Sequence, residues 1–540
     1  MGKLSPVNGS PNLNYYLISF LDRCKAMSEL KQIHALLITF GLSEDDSYIS
    51  RVLSFSAVSD SGDVHYSYQV FRNLSNPTIF NWNTIIRGYS RSKNPNRSIS
   101  IFTEMLRTGV SPDHLTFPFL AKASARLSSL QHGVAVHNCI AKTGFEFDRF
   151  IRNSLIHMYA SCGDIISARK LFDVMLQKNL VSWNAMVDGY AKCGDLIAAR
   201  ETFELMPERD VVSWSSLIDG YVKRGDHREA LSLFERMQLV GPKANEVTMV
   251  SVLCACAHLG ALEQGRMMHH YVKDRALPMS LALRTSLVDM YAKCGAIDEA
   301  LAAFHEVPIG KTDVLIWNAI IGGLATHGLV KESLLLFKLM QSWRISPDEI
   351  TYLCLLSACA HGGLVEEAWQ FFKSLSTHGM TPKIEHYACM VDVLGRAGQL
   401  DEAYQLLDKM PVEPTASTLG ALLNGCKMHG RLDLAEEVGR KLIELEPDHD
   451  GRYVGLSNVY AVARRWDDAR TLREAMEKRG IKKSPGCSFV EVGRSLHKFI
   501  AHDKSHPRSV EIYLMLNDIA QLMKLDDDNQ TQESDTGEDR

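Results

Sequence analysis

The sequence predicts an all-α fold, a solenoid of helix–turn–helix repeats, on three observations. One pattern restarts about every 31 to 36 residues over most of the 540-residue chain. With phase 1 set at Ile79, phase 24 is Phe102, and its counterparts are Phe172, Phe203, Phe234, Phe304, Phe337 and Phe372. Phase 15 is glycine at Gly163, Gly194, Gly225, Gly260, Gly295, Gly328, Gly363, Gly398 and Gly430. A period of this length belongs to stacked helical hairpins, each of which buries its apolar face only against its neighbours.

Taken in order, residues 1–11 form a short N-terminal segment without a repeat signal. A shorter, less regular pair follows at about 12–45 and 46–78. Repeats of 35 residues then begin at 79, 114, 211, 246, 314 and 349, and shorter ones at 149, 180, 281 and 384. The repeat 314–348 shows the common plan. Trp317, Ile320, Ile321 and Leu324 lie at helical spacing and end near His327-Gly328, where glycine suits a left-handed C-cap. Ser333, Leu336, Phe337 and Met340 share the face of a second helix, which Pro347 closes.

The bulk numbers narrow the function. The net charge is −5, but residues 525–540 hold seven acids against Arg540 alone, a net of −6, so the rest of the chain stands at +1. That balance argues against strong sequence-blind phosphate binding and leaves room for recognition through bases. The segment 523–540, acidic and polar, reads as a disordered tail. No stretch of about 18 uncharged apolar residues occurs, so no membrane span is expected. Cys162, Cys193 and Cys294 share phase 14, while Cys256, Cys359 and Cys426 share phase 11. Thiols that recur with the repeat serve its packing, and no metal or redox role is expected of them.

The first helices read FNWNTIIRGY (80–89), VSWNAMVDGY (181–190), VSWSSLIDGY (212–221) and LIWNAIIGGL (315–324), with joints such as GVSPD (109–113). These strings resemble the pentatricopeptide repeat family over residues 12–415. The alternating lengths resemble its PLS subclass, although the 180–210 repeat departs from a strict triplet. The resemblance implies a right-handed superhelical solenoid. Residues 416–484 resemble the E domain, through ALLNGCKMHGRLDLAE (421–436) and YVGLSNVYA (453–461), and 485–522 resemble the E+ motif, including HKFIAHDKSHP (497–507).

Two phases carry polar residues that an apolar core would not select. Phase 5 holds Asn83, Asn153, Asn184, Ser215, Thr285 and Asn318; the last position of the same repeats holds Asp113, Asn179, Asp210, Asn245, Asp313 and Asp348. Both sets are short groups able to bond base edges, and repeat proteins of this kind read one base per repeat with two or three side chains. A carboxylate accepts the ring N–H of uracil or guanine; adenine and cytosine need a donor. Asn and Asp are also preferred N-caps, so the terminal aspartates are expected to do some capping. By resemblance the pairs imply 5′-U-x-(C/U)-U-A-x-G-U-3′ for repeats 79 to 348. The x positions fall on Pro118/Asp148 and Val250/Ser280. Ser50/Thr78, Leu353/Lys383 and Ala388/Thr415 follow no clear rule. Phe80, Val181, Val212 and Leu315 at phase 2 match the family's apolar wedges, whereas Trp82, Trp183, Trp214 and Trp317 at phase 4 are expected to pack.

The resemblance therefore implies a binder of single-stranded organellar RNA that marks a cytidine for C-to-U editing. Residues 416–522 would recruit a separate DYW-type cytidine deaminase and accessory editing factors. No cofactor, metal or catalytic residue is expected in this chain. A zinc deaminase needs H-x-E followed by P-C-x-x-C, and the one H-x-E, His227-Arg228-Glu229, sits in an ordinary repeat turn with no C-x-x-C anywhere. His497, His502 and His506 match no closed zinc site. Mitochondrion or chloroplast is implied, the former favoured on family grounds, although the first 21 residues carry only Lys3 as a basic residue. The alternatives are an organellar RNA stabilisation, splicing or cleavage factor without editing, and a tetratricopeptide-like protein scaffold.

Overall fold

The computed structural model describes residues 11–483, 485–492, 495–500 and 503–535. It is built of paired helices, as the repeat predicts. First helices begin at Ile79, Arg149, Leu180, Val211, Glu246, Leu281, Val314, Glu349 and Ile384, the residues at which the repeats begin. The one shifted start is Thr116 rather than residue 114. This places Pro118, which has no N–H to contribute, inside the first helical turn, where none is needed.

The chain divides after Ser251 into two compact bodies, Met1–Ser251 and Val252–Arg540. Within each body the first helix of a repeat packs on its own second helix and on the first helix of the next repeat. In the first body, Ile79–Arg91 packs on Asn96–Arg107 and on Thr116–Arg126; in the second, Val314–Thr326 packs on Val330–Ser342 and on Glu349–Gly362. Several joints are sealed by an aromatic contact. The phase-24 phenylalanine meets the phase-4 ring of the next repeat edge to face, at 4.9 Å for Phe172–Trp183, 4.8 Å for Phe203–Trp214 and 4.8 Å for Phe304–Trp317. Such a pair adds about 0.5–1.5 kcal/mol beyond the area it buries. Trp82, Trp214 and Trp317 are buried, so they pack as expected.

Small residues let the first helices approach closely. A Cβ on Gly323 would stand 2.3 Å from the Ala292 Cβ, and one on Gly220 would stand 2.7 Å from the Ala191 Cβ. The turns use the phase-15 glycine as expected: Gly225 (φ +86°) and Gly363 (φ +66°) are left-handed caps of the preceding helices. Cysteines follow the packing reading too. Cys359 and Cys426 are buried, and burial pushes their thiols up to about 12 and about 11. At phase 14, Cys162 donates to the Ser124 carbonyl and Cys193 to the Ala160 carbonyl of the preceding repeat.

After the last short repeat, Ala416–His429 with Leu432–Leu445, and Asp450–Val462 with Trp466–Lys478, form two further hairpins. A two-stranded antiparallel sheet follows, β1 (Cys487–Val492) pairing with β2 (Ser495–Ile500), an addition to the predicted all-α plan. The helix Ser509–Asp535 runs into the segment 523–540 expected as a tail. Residues 523–535 continue that helix, because extending an existing helix costs far less than nucleating one. Residues 536–540 and the N-terminal 1–10 lie outside the described residues. No helix among the described residues is long and apolar enough to cross a membrane.

Candidate nucleic-acid interface

The two polar phases, far apart in sequence, meet in space. Asn83 Nδ2 donates to Asp113 Oδ1 at 2.9 Å, Asn184 Nδ2 to Asp210 Oδ1 at 3.1 Å, and Asn318 Nδ2 to Asp348 Oδ1 at 2.9 Å. Asn153 Nδ2 reaches Asn179 Oδ1 at 3.3 Å. Ser215 and Asn245 meet through Thr248, whose Oγ1 lies 2.7 Å from Ser215 Oγ and donates to Asn245 Oδ1 at 2.9 Å. Thr285 and Asp313 have separate backbone partners: the Thr285 hydroxyl donates to the Leu281 carbonyl at 2.9 Å, and Asp313 caps the next helix.

The terminal residues cap as well as pair. Asp113 accepts the N–H groups of Leu115 and Thr116, Asp210 those of Val212 and Ser213, and Asp348 that of Thr351. Capping and pairing coexist because a carboxylate accepts several bonds at once. Burial alone would raise the Asp113 carboxyl, but bonds from Asn83, Thr116 and the two backbone amides bring it below the usual carboxylate range. It is therefore an ionised acceptor at neutral pH. The phase-5 asparagines, by contrast, sit in the second turn of the helix and cap nothing.

Next to each pair stands an apolar side chain that the core leaves outside. Phe80 is 51% exposed, Val181 59%, Val212 47% and Leu315 58%; Phe150 and Val247 hold the same phase and are also exposed. A groove of about 610 Å³ joins these features in the first body, lined by Asn153 and Asn184, by Val181 and Val212, and by Lys122, His157 and Asp188. Burial, then Lys192, holds the His157 imidazole below its ordinary value, so at neutral pH it offers one donor and one acceptor.

Positions 9 and 13 extend the face of phase 5, since residues four apart stack on one side of a helix. In four repeats these two carry a neutralising ion pair: Lys192–Asp188 and Lys223–Asp219 at 2.6 Å, Lys293–Asp289 and Arg396–Asp392 at 2.9 Å. The repeats from 79 and 114 instead carry two cations each, Arg87 and Arg91, then Lys122 and Arg126, at the same positions. Partial burial, then Arg91, Arg126 and Arg87, push the Lys122 ammonium below its usual range. A chain near neutrality thus holds a local cluster of cations, which the total charge concealed.

Other sequence candidates are accounted for locally. Glu229 of the H-x-E string pairs with Arg200 on a helix surface. His497 Nδ1 and His506 Nε2 share a hydrogen bond of 2.9 Å, with Phe499 stacked on His506; His502 lies outside the described residues. At the irregular pair Leu353/Lys383, Lys383 is ion-paired with Glu349. The residues that sequence reasoning missed are those at phase 3 of the following repeat. Thr116, Thr248 and Thr351 are buried beside the phase-5 residue of the repeat before, and their recurrence as buried hydroxyls was a readable signal.

Comparison with known proteins agrees with this architecture. Matches to the PPR repeat family cover residues 77–126, 209–258 and 312–361, and matches to PPR repeats cover 150–180, 181–211, 284–308, 350–380 and 378–411. The E motif matches 429–491 and the E+ motif 496–523. A pentatricopeptide repeat-containing protein of Arabidopsis thaliana is 63% identical over 513 residues, 95% of this chain and 96% of its own length. Two others from that plant, one named mitochondrial and one chloroplastic, are 37% and 42% identical; they cover 94% and 95% of this chain and 90% and 92% of their own. The crystal structure of the maize pentatricopeptide repeat protein PPR10 aligns over 88% of this chain and 92% of that chain, at 18% identity and a TM-score of 0.38. With a repeat of the right period, helices that begin where it restarts, and both C-terminal motifs in place, the chain belongs to the pentatricopeptide repeat family.

Proposed function

We propose that this protein binds single-stranded RNA sequence-specifically and acts as a site-recognition factor for C-to-U editing of organellar transcripts. The observation that carries this reading is the recurring triplet of a phase-5 side chain, a terminal Asp or Asn bonded to it, and an exposed apolar neighbour at phase 2. One polar pair to bond a base edge and one apolar surface to hold its ring is what reading a splayed base requires. The reading residues are Asn83/Asp113, Asn153/Asn179, Asn184/Asp210, Ser215/Asn245, Thr285/Asp313 and Asn318/Asp348. The E and E+ motifs support the editing role, with the deaminase supplied as a separate DYW-type chain recruited through 416–522. Mitochondrion or chloroplast is the proposed compartment, in keeping with the names of two relatives.

The test is binding of the purified protein to RNA containing U-N-Y-U-A-N-G-U against a scrambled control. Clear preference for the designed RNA is expected; equal binding would overturn base reading and favour the protein-scaffold alternative. Sequencing organellar transcripts after loss of the protein tests editing separately: a cytidine left unconverted downstream of the bound site is expected. Intact editing with altered transcript levels would move the protein to the stabilisation or processing class.

The cation cluster of repeats 79 and 114 is expected to hold phosphates rather than read bases. Arg87→Gln with Lys122→Gln should weaken designed and scrambled RNA alike. The double change should also flatten the slope of log K against log salt by about 1.4, near 0.7 per phosphate on a single strand. A loss confined to the designed RNA would contradict that division of labour.

A further inference from the structure

The repeats from 79, 180 and 314 carry the same Asn/Asp combination, yet the structure does not hold their asparagines alike. In repeat 314 the amide is fixed at two points. Asn318 Nδ2 donates to Asp348, and Thr351 Oγ1, from phase 3 of the following repeat, donates to Asn318 Oδ1 at 2.6 Å. The Asp348 backbone N–H donates to Thr351 Oγ1 at 3.1 Å; the hydroxyl also lies 3.0 Å from Asp348 Oδ1, but Asn318 Oδ1 is the nearer acceptor. Repeat 79 repeats the arrangement, with Thr116 Oγ1 donating to Asn83 Oδ1 at 2.8 Å and receiving the Asp113 N–H at 3.1 Å. In repeat 180 the corresponding residue is Ser213. Its hydroxyl donates to the Asp210 carbonyl at 2.8 Å instead, and Asn184 Oδ1 is buried with no donor among the described residues. Repeat 149 matches it: Ser182 donates to the Asn179 carbonyl at 2.7 Å, and Asn153 Oδ1 is likewise buried without a donor.

The chemistry of the two hydroxyls accounts for the split. Threonine is β-branched and stiff at χ1, so its hydroxyl stays aimed across the joint; serine turns freely to the nearest carbonyl. An amide has one acceptor and two N–H groups. Once the acceptor and one N–H are engaged, the amide plane is set and the second N–H has one direction. With a single anchor the amide pivots about that bond.

Building on the base-reading proposal, we infer that the phase-3 residue of the following repeat is a positioning residue. Thr116 and Thr351 make repeats 79 and 314 stringent readers, and Ser182 and Ser213 leave repeats 149 and 180 permissive. A two-residue code treats 79, 180 and 314 as identical; the structure assigns them to two classes.

The experiment compares designed RNAs in which the base facing repeat 79, 180 or 314 is changed from U to C, first on the unaltered protein. The penalty at 79 and 314 should exceed that at 180 by roughly 2- to 10-fold, the worth of one net hydrogen bond. Thr351→Val should lower the U-over-C ratio at repeat 314 and leave the ratio at 79 unchanged. Ser213→Thr should raise the ratio at 180. Because Thr351 also takes part in a helix cap, melting temperatures are measured alongside, and the gain expected from Ser213→Thr does not depend on tolerance of a loss. Equal penalties at the three repeats, or a Thr351→Val effect spread evenly over all bases, would overturn the inference while base reading stood. Failure to prefer the designed RNA at all would instead remove the reading on which it rests.

Discussion

Thr285→Asn, with Asp313 kept, is expected to move the preference of repeat 281 from G toward U. The two residues have separate partners today, since the Thr285 hydroxyl bonds the Leu281 carbonyl and the Asp313 carboxylate accepts from Leu315 and Ile316 at 3.1 and 3.2 Å. Asparagine at this phase elsewhere reaches across to the terminal carboxylate, in repeats 79, 180 and 314 alike. A longer side chain narrows the space that a purine needs, and the carboxylate remains the acceptor for the uracil ring N–H. A base-edge contact carries about 1–3 kcal/mol of discrimination, so the ratio of affinities for U and G at that position should change by roughly 5- to 150-fold. Competition binding with four RNAs that differ only at this base measures it. An unchanged G preference would show that the pair does not determine the base here.

The largest expected effect on stability is that of Trp317→Ala. Trp317 is fully buried, meets Phe304 edge to face at 4.8 Å across the joint, and donates its indole N–H to Thr312 Oγ1 at 3.1 Å. Truncation removes the ring contact, the hydrogen bond and most of the core of one joint, for a cost of about 3–5 kcal/mol. In a stacked array, stability is a sum of repeats and nearest-neighbour interfaces, so the loss should appear locally. Hydrogen exchange should rise across 281–348 ahead of distant repeats, with a lower midpoint in urea. Trp183 makes the equivalent contact at 4.9 Å but is only partly buried, and its replacement should cost less. Equal losses at the two sites would mean that burial is not what these tryptophans supply.

The repeat boundaries were legible because each carries its own punctuation. A glycine at phase 15 closes the first helix, as at Gly225, and Asp or Asn opens the next, as at Asp210. The polar pairs were legible as a recurrence, although their direct bond was not. Asn83 and Asp113 are thirty residues apart in sequence, and only the fold makes them neighbours. The phase-3 hydroxyls were missed because what separates Thr351 from Ser213 is the direction of one O–H, and the single methyl group that sets it does not stand out in a recurrence of small polar residues. The sheet of Cys487–Val492 and Ser495–Ile500 was missed for a different reason. Two six-residue strands offer too short an alternation to stand out after a chain of helices. Net charge misled in its own way, since cations at Arg87 and Lys122 are cancelled in the sum by distant acids.

The polar pair closes over two chain lengths, and this has a bearing on how such arrays change. Asn318 and Asp348 are thirty residues apart, Asn184 and Asp210 twenty-six, yet both pairs form the same bond. The difference lies in the second helix, thirteen residues in Val330–Ser342 and nine in Leu196–Glu204, which is close to one α-helical turn. Removal of a whole turn returns the chain to the same azimuth, so the following joint still delivers its last residue to the same partner. Gains and losses of about four residues are therefore silent at the polar pair, whereas a change of one or two would rotate the joint away from it. A lineage of such proteins can lengthen and shorten its repeats in steps of a turn, like words respelled without a change of meaning, while the order of side chains along the array stays intact.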